Sequence, residues 1–218
     1  MFRVFFMLGY RMDSIKEAVN RLAAWCTEKP IGWHPQASER FEKYISLLLK
    51  YQKRTNLIGF ETVDEIVESG FMDSLRLLCA RHGRISGPVL DIGSGAGIPA
   101  LPIKIVHPDV DMILVEPRAK RYAFLGLAIR ELGLEGIAVH RCRIESLSLD
   151  ETPKLVISKA LMPFPQWLEL TAPWRKAGAR IGCYLSENDW HIFSELAIKD
   201  GGGFSMTKAA DRCYIILS

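Results

Sequence analysis

The chain has 218 residues, 49% of them apolar, with a net charge of only +3. That is enough to fill one hydrophobic core, and the near-neutral balance excludes a protein that binds its partner as a bulk polycation. The cysteines Cys26, Cys79, Cys142, Cys183 and Cys213 are odd in number and contain no C-x-x-C pair, which argues against a disulfide framework and for reduced thiols in a cytoplasm.

The first ten residues, Met1 to Tyr10, form an apolar stretch too short to span a bilayer, with no small-x-small cleavage site after it. They read as an extension packed on the domain or as a segment upstream of a true start at Met12. Asp13 and Ser14 can cap a helix running to about Cys26. From Ser38 to Lys53, Phe41, Tyr44, Ile45, Leu48 and Leu49 recur at i, i+3, i+4, i+7 and i+8, one face of an amphipathic helix. A further helix is predicted through Val63 to Val67 and on to Leu78. From Pro88 onward, apolar runs alternate with helical patterns. Strands are expected at Pro88–Ile92, Val110–Glu116, Ile137–His140, Lys154–Ser158, Ala179–Ser186, Gly203–Thr207 and Arg212–Leu217. Helices are expected at Ile98–Val106, Arg118–Leu132, Pro165–Lys176 and Asp189–Lys199. The last two strands are separated only by a short turn at Ala209-Ala210-Asp211, so they should form a hairpin rather than a crossover. The pattern predicts an α/β fold, one domain in which a helical cap (residues 1–86) precedes a Rossmann-like core (87–218). Its sheet would be mostly parallel with an antiparallel C-terminal hairpin.

The chemistry centres on Val89-Leu-Asp-Ile-Gly-Ser-Gly-Ala-Gly-Ile98 and on the apolar run Met112–Val115 closed by Glu116. A strand leads into a turn at Gly93, Gly95 and Gly97, and about 20 residues on, an acid ends the second strand where its carboxylate would accept two hydrogen bonds from a ribose diol. A dinucleotide fingerprint needs a third glycine at position 98, where Ile98 stands. Asp91, two residues before Gly93, would repel phosphates but could hold the cationic amino acid end of S-adenosylmethionine, directly or through water. The spacing therefore favours S-adenosylmethionine over a pyrophosphate. A glycine turn in an α/β protein that holds no nucleotide is the remaining alternative.

Ligands of open α/β sheets gather at the carboxyl ends of the strands. Arg118, Lys120 and Arg121 follow the second strand, Arg141 and Arg143 the third, and Lys159 the fourth. Such a rim suits a polyanion, although surface cations of this kind are also common as solvated residues. The histidines His34, His82, His107, His140 and His191 show no ligand spacing, and no metal site is expected. Trp167, Trp174 and Trp190 stand at helical spacing and read as core.

The run Asp91-Ile-Gly-Ser-Gly-Ala-Gly-Ile-Pro99, with Leu114-Val-Glu-Pro117, Lys120-Arg-Tyr-Ala-Phe-Leu125, Arg143-Ile-Glu145 and Ile157-Ser-Lys-Ala160, resembles the bacterial 16S rRNA guanine-N7 methyltransferases called RsmG or GidB. Thr55-Asn-Leu57 and Met72-Asp-Ser-Leu75 are similar to two further signatures of that family, with Gly70 at the place of a family histidine. The resemblance runs from about Ser38 to Ala160 and implies a class I S-adenosylmethionine-dependent methyltransferase fold. It implies S-adenosylmethionine as cofactor, with Asp91, Gly93, Gly95, Gly97 and Ile98 at its loop and Glu116 on its ribose. Ile144 and Glu145 would flank its adenine, and Lys159 takes the place of a family arginine near the active centre. Lys159 and Arg143 would orient the guanine or its phosphate, and Arg118, Lys120, Arg121 and Asn56 would touch RNA. The implied substrate is the guanine of the 530 loop, in free 16S rRNA or the 30S subunit, met by a cytoplasmic monomer. Two other readings stay open: a methyltransferase for another nucleic acid or a small molecule, and a homologue that binds cofactor or RNA without turnover.

Overall fold

The computed structural model describes residues 12–55, 57–80, 82–159, 161–200, 203–209 and 212–217. The N-terminal ten residues, Asn56 and the turn residues Ala210 and Asp211 lie outside them.

Helix α1 (Met12–Glu28) buries Ile15, Ala18, Val19, Leu22 and Cys26 along one stripe. Helix α2 (Ala37–Thr55) buries the five side chains that its periodicity singled out, each at most 2% exposed. Burial of this kind stabilises by about 1.5–3 kcal/mol per large apolar side chain. Helix α3 (Val63–Glu65) starts on a reciprocal cap: the Thr62 hydroxyl accepts from the Glu65 backbone N–H at 3.1 Å, and the Glu65 carboxylate accepts from the Thr62 N–H at 3.2 Å. Where an uninterrupted α-helix was expected, the chain widens into a π-helix over Ile66–Met72 before α4 (Asp73–Cys79). Apolar periodicity does not distinguish the two, because Ile66, Val67, Gly70 and Phe71 are buried all the same. A π-helical turn is uncommon and recurs near functional sites.

The strands and remaining helices follow in the expected alternation. They are β1 (Val89–Ile92), α5 (Ala100–Val106), β2 (Met112–Val115), α6 (Ala119–Glu131), β3 (Ile137–His140), β4 (Leu155–Ile157), α7 (Phe164–Lys176), β5 (Arg180–Ser186), α8 (Glu187–Asp200), β6 (Phe204–Ala209) and β7 (Arg212–Leu217). Helix α5 starts two residues later than expected because the Gly93–Gly97 turn runs on through Pro99. A short 3-10 turn at Ile144–Ser146, not foreseen, follows β3.

The seven strands make one sheet in the order β3-β2-β1-β4-β5-β7-β6. The first five are parallel, with Asp91 opposite Leu114 on one side and Ile157 on the other. β7 runs antiparallel to both β5 and β6, so the expected hairpin is present, with its second strand lying inside the sheet. One buried cluster joins α1, α2, α4, α5 and α6 to one face of the sheet, and the other face packs under α7 and α8. Alternation along β1 sends Leu90 and Ile92 towards α7 and α8, and Val89 to the face that carries the N-terminal helices. Trp167 is buried, and Trp174 and Trp190 are partly buried against the same cluster, in keeping with a core role for their aromatic bodies.

Candidate active site

The glycine loop lies at the carboxyl ends of β1 and β2, held by side chains from two directions. Gly93 and Gly97 have φ of +74° and +93°, a region open to glycine and strained for other residues. A Cβ on Gly97 would fall 2.5 Å from Leu101 Cδ1 and 3.1 Å from the Tyr44 hydroxyl, so the loop is also packed too tightly for a side chain there. From below, Tyr44 Oη on α2 donates to the Ala96 carbonyl at 2.7 Å, a buried bond that ties the N-terminal helices to the glycine loop. From the side, buried Glu116 accepts the Gly95 N–H at 2.9 Å and the Arg118 N–H at 2.8 Å, one on each carboxylate oxygen. Each oxygen keeps a further lone pair, enough for a ribose diol.

Asp91 is 1% exposed, and neither of its carboxylate oxygens has a hydrogen-bond partner in the protein. Burial pushes its carboxyl up to about 7, the nearby Ser94 hydroxyl opposing the shift and the charge of Glu116 adding to it. A buried, unpartnered acid beside a glycine loop suits a cationic ligand group, and S-adenosylmethionine fits these residues: one carboxylate for its ammonium, one for its ribose, and a loop that presents no Cβ at Gly93, Gly95 and Gly97. Ile98, at the position where a dinucleotide loop has glycine, is half-buried and touches the space around Gly70.

Replacing Tyr44 by phenylalanine strands a buried carbonyl, and the expected cost is about 1–3 kcal/mol of stability. A urea titration should show it together with weaker S-adenosylhomocysteine binding. An unchanged midpoint and affinity would mean that the loop holds its shape unaided.

The remaining sequence-predicted residues divide into two groups. Arg118, Lys120, Arg141 and Arg143 are exposed, and Arg121 is half-buried with its guanidinium 4.0 Å from where a Gly95 Cβ would stand. Ile144 is half-buried at the head of the 3-10 turn, and Glu145 is exposed. These residues lie around the ends of β2 and β3, beside the glycine loop.

Lys159 is placed differently. Its side chain is 11% exposed, and its ammonium pairs with Asp73 at 2.7 Å and donates to the Ser69 carbonyl in the π-helix. Burial pushes its pKa below the usual lysine range, and Asp73 opposes that shift. Asp73 is the residue that sequence reasoning left without a role. It is 2% exposed and also accepts from Arg212 at 3.1 Å and from the Tyr214 hydroxyl. The only signal for it was the Asp-Ser-Leu run. Gly70, on the same π-helix, leaves room that the Phe60 ring fills: a Cβ there would stand 3.3 Å from Phe60 Cε2.

The strand order, the acid-ended glycine loop of β1 and the acid after β2 together define a class I methyltransferase fold. The same fold is found in a ribosomal protein L11 methylase from Lactobacillus delbrueckii subsp. bulgaricus, with a TM-score of 0.53 at 11% identity over 67% of this chain and 78% of that one.

More specifically, the chain belongs to the family described as rRNA small subunit methyltransferase G, or GidB, which matches residues 37–198. It is 34% identical over 200 residues to the ribosomal RNA small subunit methyltransferase G of Moorella thermoacetica, covering 90% of this chain and 78% of that one. It is 35% identical over 185 residues to the enzyme of the same name from Wolinella succinogenes, covering 85% and 91%.

Proposed function

We propose that this protein methylates N7 of a guanine in the 530 loop of 16S rRNA, working in the cytoplasm as a monomer on the 30S subunit. The observation that carries the cofactor half of this reading is Asp91, a buried acid with no partner of its own beside the glycine loop. Family membership carries the RNA half. Among the described residues, no helix is long and apolar enough to cross a membrane.

Asp91 would hold the amino group of S-adenosylmethionine, Gly93, Gly95, Gly97 and Ile98 would form its bed, and Glu116 would take the ribose. Ile144 would pack on the adenine, with Glu145 near its exocyclic amine. When bound, the cofactor supplies an electrophilic methyl group on a sulfonium. Guanine N7 attacks with a lone pair and has no proton to lose, so the chain has orientation to provide rather than proton transfer. Arg118, Lys120 and Arg121 would hold RNA phosphates, together with Asn56. Arg143 would orient the guanine. Lys159, fixed by Asp73, would present its charge at one place beside the cofactor instead of sweeping the surface.

Labelled S-adenosylmethionine incubated with 30S subunits that lack the modification should transfer its methyl to a 530-loop guanine, as mapped on the extracted rRNA. Transfer should fall steeply as salt rises, because phosphate contacts release counterions. Cofactor binding with no labelled rRNA would refute the reading.

A further inference from the structure

At the carboxyl ends of β4 and β5 an open groove of about 450 Å³ is lined by Lys159, Tyr184, Asp189 and Arg212, among others. It shares Tyr184, Leu185 and Asp189 with a narrow recess of about 40 Å³ that runs under Leu161 towards α7. The recess is walled by Ser158 and Trp167, whose Oγ and Nε1 atoms are buried without a hydrogen-bond partner in the protein. The two residues are 8% and 5% exposed. The indole N–H meets only the Cys183 thiol, which it favours in its ionised form, and sulfur is a weak acceptor. A buried polar atom left unpaired costs about 1–3 kcal/mol, and two in one recess is a cost that folding alone does not require.

The recess also borders the cofactor loop. Leu161, 41% exposed, stands at its mouth and lies over Gly93, where a Cβ would come within 2.7 Å of Leu161 Cδ1. The groove is large enough for a nucleotide, whereas the recess admits only the edge of a planar group. Arg212, 46% exposed at its side chain, and Lys159 bring positive charge to the groove, both paired with Asp73 beneath it, and Glu187 and Asp189 line the groove as well.

We propose that this groove and recess form the subsite for the target nucleotide, with its phosphate beside Arg212 and the Watson–Crick edge of its guanine in the recess. The Trp167 N–H would donate to guanine O6, and the Ser158 hydroxyl would accept from guanine N1–H. This seats the base by the edge that does not react and leaves N7 uncovered at the side of Leu161 and the cofactor loop. The inference rests on the guanine reading above, and adds which residues recognise the base.

Trp167→Phe keeps an aromatic ring but removes the donor and the pyrrole part of the indole, and Ser158→Ala removes the hydroxyl. Since the Ser158 hydroxyl has no partner within the protein, Ser158→Ala should unfold at the wild-type temperature or above it, whereas Trp167→Phe leaves a void in the core and should unfold somewhat lower. Calorimetry should show wild-type affinity for S-adenosylhomocysteine. With undermethylated 30S subunits, kcat/KM should fall about tenfold for each variant, the loss expected for one hydrogen bond in a dry site. Unchanged kcat/KM in the double variant would overturn the proposal and leave the recess to water. So would a tenfold loss of S-adenosylhomocysteine affinity, which would assign the recess to the cofactor. A fall of several degrees in the unfolding temperature of Ser158→Ala would overturn it too, by showing that the hydroxyl serves the fold. Failure of the wild-type protein to label guanine in the same assay would strike the parent reading instead.

Discussion

Replacing Asp91 by asparagine is expected to weaken S-adenosylhomocysteine binding about 30-fold near pH 8, the worth of a hydrogen bond to a charged group, and yet to stabilise the ligand-free protein. Both effects come from one buried carboxyl whose pKa lies at about 7 instead of 3.8. The folded chain holds this proton more tightly than the unfolded chain does. The stability tied to it is therefore fully present below the unfolded value and is lost as pH rises towards 7. Ionising this carboxyl in the folded chain costs about 4 kcal/mol of stability. The asparagine amide has a desolvation cost of its own, so a net gain of about 1–2 kcal/mol near pH 8 is expected, or roughly 3–6 °C.

Wild-type affinity should tighten between about pH 6 and pH 8 as the carboxyl ionises to meet the ligand ammonium, and the asparagine variant should lose that slope. Calorimetry across this range and thermal melts of the ligand-free protein measure both effects. An asparagine variant with wild-type affinity and an unchanged pH slope would remove Asp91 from the cofactor site.

Replacing Asp73 by alanine should cost about 3–5 kcal/mol, the largest stability effect expected for any single substitution near the site. Lys159 and Asp73 are both nearly buried, at 11% and 3% side-chain exposure, so removing the acid leaves an ammonium with the Ser69 carbonyl and the face of the Phe60 ring but no counter-charge, and the Tyr214 hydroxyl without its acceptor. A buried pair exchanged as a whole behaves differently, because both desolvation costs disappear together. The double variant Asp73→Asn with Lys159→Met should therefore recover much of the loss while remaining inactive. Urea unfolding of the three proteins tests this. A midpoint for Asp73→Ala within 1 kcal/mol of wild type would mean that water reaches the cluster and screens it.

How much of this was legible in sequence depended on the range of the interaction. β1, the glycine loop and β2 could be read because hydrophobic alternation, glycine spacing and a terminal acid are local signals, and the paired strands lie about 20 residues apart. Tyr44 was visible as a core position on α2, but its hydroxyl bond to Ala96, 52 residues away, was not. Asp73 meets Arg212 and Tyr214 across 139 and 141 residues, and no periodicity carries such a contact. Lys159 was read as part of a solvent-facing rim because its neighbours in sequence do not reveal that Asp73 lies beneath it. Trp167 was rightly read as core by its spacing. The spacing said nothing about the indole N–H, whose surroundings depend on how α7 lies over β5.

The placement of β7 between β5 and β6 bears on the order in which the molecule is assembled. During translation β6 leaves the ribosome before the strand that joins it to the sheet, so β5 waits with an unpaired edge and β6 has no neighbour to bond. Arg212 and Tyr214 travel on that same late strand. The nascent chain can thus have its cofactor loop in place while Asp73 still lacks two of its partners, which arrive only with β7.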